Sequence, residues 1–337
     1  MAKVAGSSGP RLAAAQTARH ALGVAIGSLS MVMLHPVVGL PIAAAGLAAL
    51  VYGRRMVLAL SASAIAGALA GLVAHQAGLY VIVLPLTGSS VGAWGPYAFT
   101  ALTVASLALV GPGMVALMRS VSPSRAIAIV VLGLSSMQAA VLWSLAMTAG
   151  QTVPALVGGV VAEVAAQTGA FADMEEAIVS SWPGLLVSMN AFTAVVVAVI
   201  VGRAGVRRGA VVRPLPPLAR VDLDPRMAIV PIVAIALLAA GRIPASFAPA
   251  LDAVGVNVLI VARWVFFLQG VAVFAELYER AGFSRMTRVA GYVLLGVTEA
   301  LLPLVSLTGL ADIWLNMRRL PRDGASPEAV ETPPHTD

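Results

Sequence analysis

The 337-residue chain contains no cysteine. That absence excludes a disulfide framework, an iron–sulfur cluster, a zinc–thiolate centre and a cysteine nucleophile. Lysine is nearly absent too: Lys3 stands alone, so 20 of the 21 basic residues are arginine. No lysine is left for a nucleotide-binding loop, a kinase strand or a Schiff base. The four histidines (His20, His35, His75, His335) are far apart, and none forms an H-E-x-x-H pair. The residues therefore point to no cofactor, no metal and no enzyme chemistry. Aromatics make up 5% of the chain, and charged residues only 11%, against about 25% in an ordinary soluble domain.

Apolar residues supply the rest. They make up 59% of the chain, and the mean hydropathy is +0.94. A soluble fold cannot hide that much apolar surface with so few charges for its exterior. The chain reads as an all-α, polytopic transmembrane helix bundle whose first partner is the lipid bilayer. Its net charge of +6 does not imply nucleic acid. The arginines form short clusters between apolar runs, as cytoplasmic loops of multi-pass proteins do.

A ~30 Å hydrocarbon core needs apolar runs of about 17–25 residues. Such runs fall at 17–34, 36–53, 56–75, 96–118, 126–149, 183–202, 227–241, 254–278 and 289–311, giving about eight or nine spans. Residues 1–16 form a polar cytoplasmic tail, and the first run reads as a retained signal anchor. The N-terminal membrane half covers 17–149. Residues 150–182 carry Glu163, Asp173, Glu175 and Glu176 and no base. Their apolar residues recur at helical spacing, which predicts one or two amphipathic helices in an extracytoplasmic loop on the membrane surface. The C-terminal membrane half covers 183–317, and 318–337 reads as a disordered tail. Arginines at 54–55, 119–125, 203–226 and 280–288 share one side if the N-terminus is cytoplasmic in a bacterial inner membrane. Nine spans would put Arg318, Arg319 and Arg322 on the wrong side. Either the last run breaks near Pro303 and turns back, or one weak span is miscounted.

Ionisable groups inside spans are costly, so they mark candidate sites. Arg263 lies ~14 Å below the outer end of the eighth run, and Glu299 lies ~16 Å above the inner start of the ninth. They are expected to pair or to share a polar cavity. A pair that merely holds two helices together is the commoner reading. Gln269, Asn257 and Glu276 join them as candidate ligand-binding groups on the eighth run, and Asn190 is a lone polar group in the sixth. Interhelical hydrogen bonding is the ordinary role of such amides. Gly88-Ser-Ser90-Val-Gly92 fits G-x-S-x-G, but without a triad it reads as a chance match. Small residues recur at helical spacing at Ala62, Ala66, Ala70 and Ala74, and again at Ala14, Ala18, Ala21 and Ala25. Such stripes let helices pack closely, or let another subunit dock.

Trp182-Pro183 opens a run containing Asn190 and is followed by a basic, Pro-containing loop ahead of Pro225. With Phe266-Phe-Leu-Gln-Gly-Val-Ala-Val273 and Gly309-Leu-Ala-Asp312-Ile-Trp-Leu-Asn-Met-Arg318, this half resembles the YybS-like family of bacterial multi-pass membrane proteins. That family is similar to the solute-binding S components of energy-coupling-factor (ECF) transporters. The resemblance implies a docking face on the first helix, at Ala14, Ala18, Ala21 and Ala25, for a transmembrane coupling subunit with separate ATPases. It implies an S-component-like solute-binding subunit of a membrane transporter. The mid-span charges themselves suggest the site for such a solute: Arg263 would attract an anionic group, and Glu299 would orient it or carry a proton. S components have about six spans, fewer than counted here. The alternative is a non-transporting membrane scaffold or assembly protein that contacts a partner complex through the small-residue faces and the 150–182 loop.

Overall fold

The structure is a computed structural model that describes residues 10–33, 36–53, 55–77, 95–168, 174–210, 212–213, 215–243 and 246–321. No strand occurs among them. The G-x-S-x-G stretch at 88–92 and residues 322–337 of the expected tail lie outside the described residues. The chain divides into two units. One comprises residues 1–215 and 238–261, the other residues 216–237 and 262–337.

The first unit opens with α1 (Pro10–Met33), α2 (Pro36–Tyr52) and α3 (Met56–Ala77). α4 (Gly95–Ala108) runs through a π-turn at Leu109–Gly113 into α5 (Met114–Ser120). The π-turn encloses Pro112, which has no N–H for the regular ladder, so the helix accommodates it with a bulge. α6 (Pro123–Thr148) starts with proline in its first turn, where no donor is lost. α7 (Val153–Thr168) and α8 (Glu175–Arg207) complete the series.

Small residues set the spacing. A methyl added to Gly27 would collide with the backbone of Ala43, and one on Gly46 with the carbonyl of His20, so α1 and α2 are nearly in backbone contact. Gly67 and Gly71 meet Val104 and Thr100 in the same way, beside buried Ala66 and Ala70. Ala66 and Ala70 of the stripe therefore pack α3 against α4, inside the unit; the side chain of Ala74 lies outside the described residues. Leu47, Met114, Met118, Leu134, Val197 and Val201 fill the main core.

The second unit holds short 3₁₀ turns at Leu218–Arg220 and Pro225–Ala228, then most of α9 (Ile229–Ala240), the C-terminal part of α10 (Ala248–Arg280), α11 (Arg285–Leu301) and α12 (Leu304–Leu315). Phe266, Ala262, Ala228 and Ile313 form its apolar centre.

Five helices among the described residues are long and apolar enough to cross a membrane, or six if the α11–α12 pair counts as one. The expected eight or nine is not reached, for local reasons. α1 carries Gln16, Thr17, Arg19 and His20 within its length. The apolar part of α2 described, Gly39–Tyr52, falls short of a crossing. The seventh run forms a shorter apolar helix, Pro225–Ala240, below the length of the five. The ninth run bends by 100° between α11 and α12. The expected loop at 150–182 contains α7 and the first turns of α8. α8 starts eight residues before Pro183 and passes through it.

Candidate functional site

In the second unit Arg263 and Glu299 meet directly, at 2.7 Å between Nε and Oε1. The cause is Pro303. In an unbroken helix the amide of residue 303 would donate to the carbonyl of Glu299, but proline has no amide hydrogen. α11 stops, and Leu302 adopts an extended conformation. Arg263 then supplies the missing donor: its Nη2 donates to the Glu299 carbonyl while its Nε holds the carboxylate. The other side of the carboxylate caps the next helix. Ser306 donates its backbone N–H to Glu299 Oε2 and its hydroxyl to Oε1, both at 3.0 Å. An anion at a helix N-terminus meets free amides and the positive end of the dipole. One ion pair thus satisfies both ends of the break.

The pair α11–α12 goes out along α10 and comes back. Gly291 abuts Tyr278 near the C-terminal end of α10, and Glu299 reaches Arg263 farther up. Gly309 then packs against the backbone of Phe266 and Gly270. Finally the Arg318 carbonyl accepts from Arg280 Nη2 at 3.0 Å, back at the end of α10. α11 and α12 thus form a hairpin against α10, bent by 100° at their break.

A second cluster lies where α12 ends. Asn316 takes a left-handed conformation (φ 41°) and stops the helix. That turn directs Arg318 inward, where it is 3% exposed. Its guanidinium is fully used. Nε and Nη2 donate to Asp312 Oδ2 (3.1 and 2.9 Å), Nη2 also to Asp222 Oδ1 (3.0 Å), and Nη1 to the carbonyls of Ala219 and Val221. Gln269, 0% exposed, donates Nε2 to the same two carboxylate oxygens at 2.9 and 3.0 Å. The five N–H donors of Arg318 are satisfied by four oxygens, Asp312 Oδ2 accepting two, which is the full donor capacity of an arginine.

The five candidate ligand-binding residues therefore do not converge. Arg263 and Glu299 form the pair at the break, and Gln269 belongs to the Arg318 cluster. Glu276 pairs with Arg280 one turn on, at 2.9 Å. Asn257 lies in the first unit, where its amide accepts from Gly184 N–H (2.6 Å) and donates to the Ser180 carbonyl (3.0 Å) of α8. Asn190 also bonds between helices, to Ser135 (3.0 Å) and Gln138 (2.6 Å) of α6. On α1, Ala18, Ala21 and Ala25 are exposed beside Leu22 (60%) and Ile26 (50%). The side chain of Ala14 lies outside the described residues.

Sequence reasoning missed Asp222 and misplaced Arg318. The first sits in a loop that reads as retained charge, the second at the start of what reads as a polar tail. The signal available was the Asp312-to-Arg318 spacing just past a helix, which places opposite charges one and a half turns apart.

The family model described as "Predicted membrane protein (DUF2232)" matches residues 21–313. The chain belongs to this family. The match spans both units, and with it the chain is an integral membrane protein with several apolar helices. No curated protein and no solved structure matches this DUF2232 chain.

Proposed function

We propose that this DUF2232 protein is a non-transporting membrane scaffold that docks a second membrane subunit through the outward face of α1. The observation that carries this reading is the direct Arg263–Glu299 pair. A solute-binding reading asks Arg263 to attract an anionic group and Glu299 to orient it. Both side chains are committed instead to the break between α11 and α12, and Ser306 holds the remaining carboxylate oxygen. A solute would have to displace a charge-assisted bond that closes two helix ends.

The second reading is an S-component-like subunit of an ECF-type transporter, as the YybS-like resemblance implies. What favours it is the same α1 face. Ala18, Ala21 and Ala25 stand exposed with Leu22 and Ile26 between them, so another helix can approach closely there. Docking is common to both readings; solute binding and an associated ATPase are not.

The test is affinity purification from native membranes, comparing the wild-type chain with an Ala21→Leu/Ala25→Leu variant. The scaffold reading expects a stoichiometric membrane partner, lost in the variant, with no ATPase and no thermal shift across a panel of small metabolites. Co-purification of a coupling subunit with ATPases, together with a solute-dependent shift that Glu299→Gln abolishes, would establish the transporter reading instead.

A further inference from the structure

A cavity of about 590 Å³ opens in the first unit between α1, the C-terminal end of α2 and the C-terminal end of α8. Arg19, His20, Arg55, Arg207 and Arg208 line it, with Thr17 beside them. We propose that this cavity is a binding site for a phosphate-bearing anion.

The positive-inside tendency accounts for arginines near span ends. It does not account for four of them converging from three separate elements onto one hollow. Nor is the charge neutralised from within. The first 162 residues contain no aspartate or glutamate, and none occurs between Glu176 and Asp222. Every residue lining the cavity lies in those stretches. Among the described residues, no carboxylate pairs with Arg19, Arg55, Arg207 or Arg208, although pairs form elsewhere in the chain. Four like charges held together repel one another, and an anion of two or more charges relieves that repulsion.

The walls are fixed. Gly46 brings α2 against the His20 carbonyl of α1. Tyr52 Oη donates to the Val201 carbonyl at 3.2 Å and ties α2 to α8. Arg55 Nη1 donates to Thr17 Oγ1, and Arg208 Nη2 lies 3.5 Å from His20 Nε2. Guanidinium groups recognise phosphate oxygens through paired, charge-assisted donors. The volume exceeds a single phosphate and falls in the range of ordinary small-ligand sites. The same chemistry is presented by an anionic lipid headgroup and by a soluble phosphorylated compound. Exposed Leu22 and Ile26 continue along α1 from the cavity and give an acyl chain an apolar path, whereas a soluble compound needs only the basic pocket.

The test uses the full chain purified in neutral detergent. In one arm, native mass spectrometry and thermal midpoint follow titration with phosphatidylglycerol or cardiolipin against phosphatidylcholine. In the other, inorganic pyrophosphate replaces the lipid. Arg207→Ala/Arg208→Ala should weaken anion binding at least tenfold. Arg203→Ala/Arg213→Ala removes the same charge from positions that do not line the cavity and should change it less than twofold. Binding confined to the anionic lipids identifies a headgroup site, and binding of pyrophosphate with comparable or greater affinity identifies a soluble phosphate compound. No binding in either arm, or equal loss in both variant pairs, overturns the proposal. Unchanged elution volume of both variants keeps a loss of binding distinct from a loss of fold.

Discussion

At the scale of single residues, scarcity of charge makes each buried ion account for itself. Arg318 and Asp312 are both buried and share their bonds with Asp222, Gln269 and two backbone carbonyls. A buried pair contributes little net stability compared with a well-packed apolar pair, because desolvation offsets the attraction. Breaking it is another matter, since one charge then stays buried without its partner. Asp312→Leu should therefore cost about 3–5 kcal/mol. Asp312→Leu/Arg318→Met, which removes both charges, should cost less than the single change, because Asp222 keeps partial access to solvent. Thermal unfolding of the three proteins in one detergent measures the difference. If the double variant is as unstable as the sum of its parts, the cluster is held by packing rather than by the pair.

At the scale of elements, the bend between α11 and α12 rests on a substitution of donors. Pro303 withholds an amide N–H from the Glu299 carbonyl, and Arg263 supplies a guanidinium N–H from α10 in its place. The two positions should therefore be coupled. Arg263→Ala alone leaves both the carbonyl and the carboxylate of Glu299 short of partners, and hydrogen exchange over 298–308 should quicken at least tenfold. Adding Pro303→Ala returns an amide to the chain, lets α11 extend, and should recover part of that protection. Independent effects of the two changes would break the argument. The elements also show what the sequence discloses. Arg263 and Glu299 were expected to meet, because two mid-span charges on neighbouring antiparallel helices have few other partners, and they do. A break near Pro303 was one of two resolutions of the misplaced C-terminal arginines; the structure has that break, and it also has fewer long apolar helices than the runs suggested. The extent of α8 was hidden because Trp182-Pro183 imitates a helix start, while Glu175 and Glu176 at the true first turn read as part of the separate amphipathic surface segment. α9 is as apolar as a span, but with the 3₁₀ turn before it, Pro225–Ala240, it is shorter than the five helices long enough to cross. The Arg318 cluster was hidden for a different reason: Asp222 and Arg318 are 96 positions apart in loop and tail, and periodicity says nothing about where a chain returns.

At the scale of the whole molecule, the hairpin brings the basic residues at the two ends of α11–α12 together. Were α11–α12 a crossing, Arg318 and Arg319 would lie opposite Arg280, Arg285 and Arg288. The bond from Arg280 to the Arg318 carbonyl brings them to the same end of α10, so a single side receives them all, as the distribution of basic residues requires. The absence of cysteine makes this directly testable, because any introduced thiol is the only one in the protein. Ser284→Cys precedes α11, and Met317→Cys follows α12. Both should react with an impermeant maleimide from the same face of sealed, oriented vesicles, and from neither in vesicles of the opposite orientation. Leu302→Cys, at the tip of the hairpin, should stay unreactive from both faces until the membrane is dissolved. Labelling of residues 284 and 317 from opposite faces would restore a crossing and would place Arg318 and Arg319 opposite Arg280, Arg285 and Arg288.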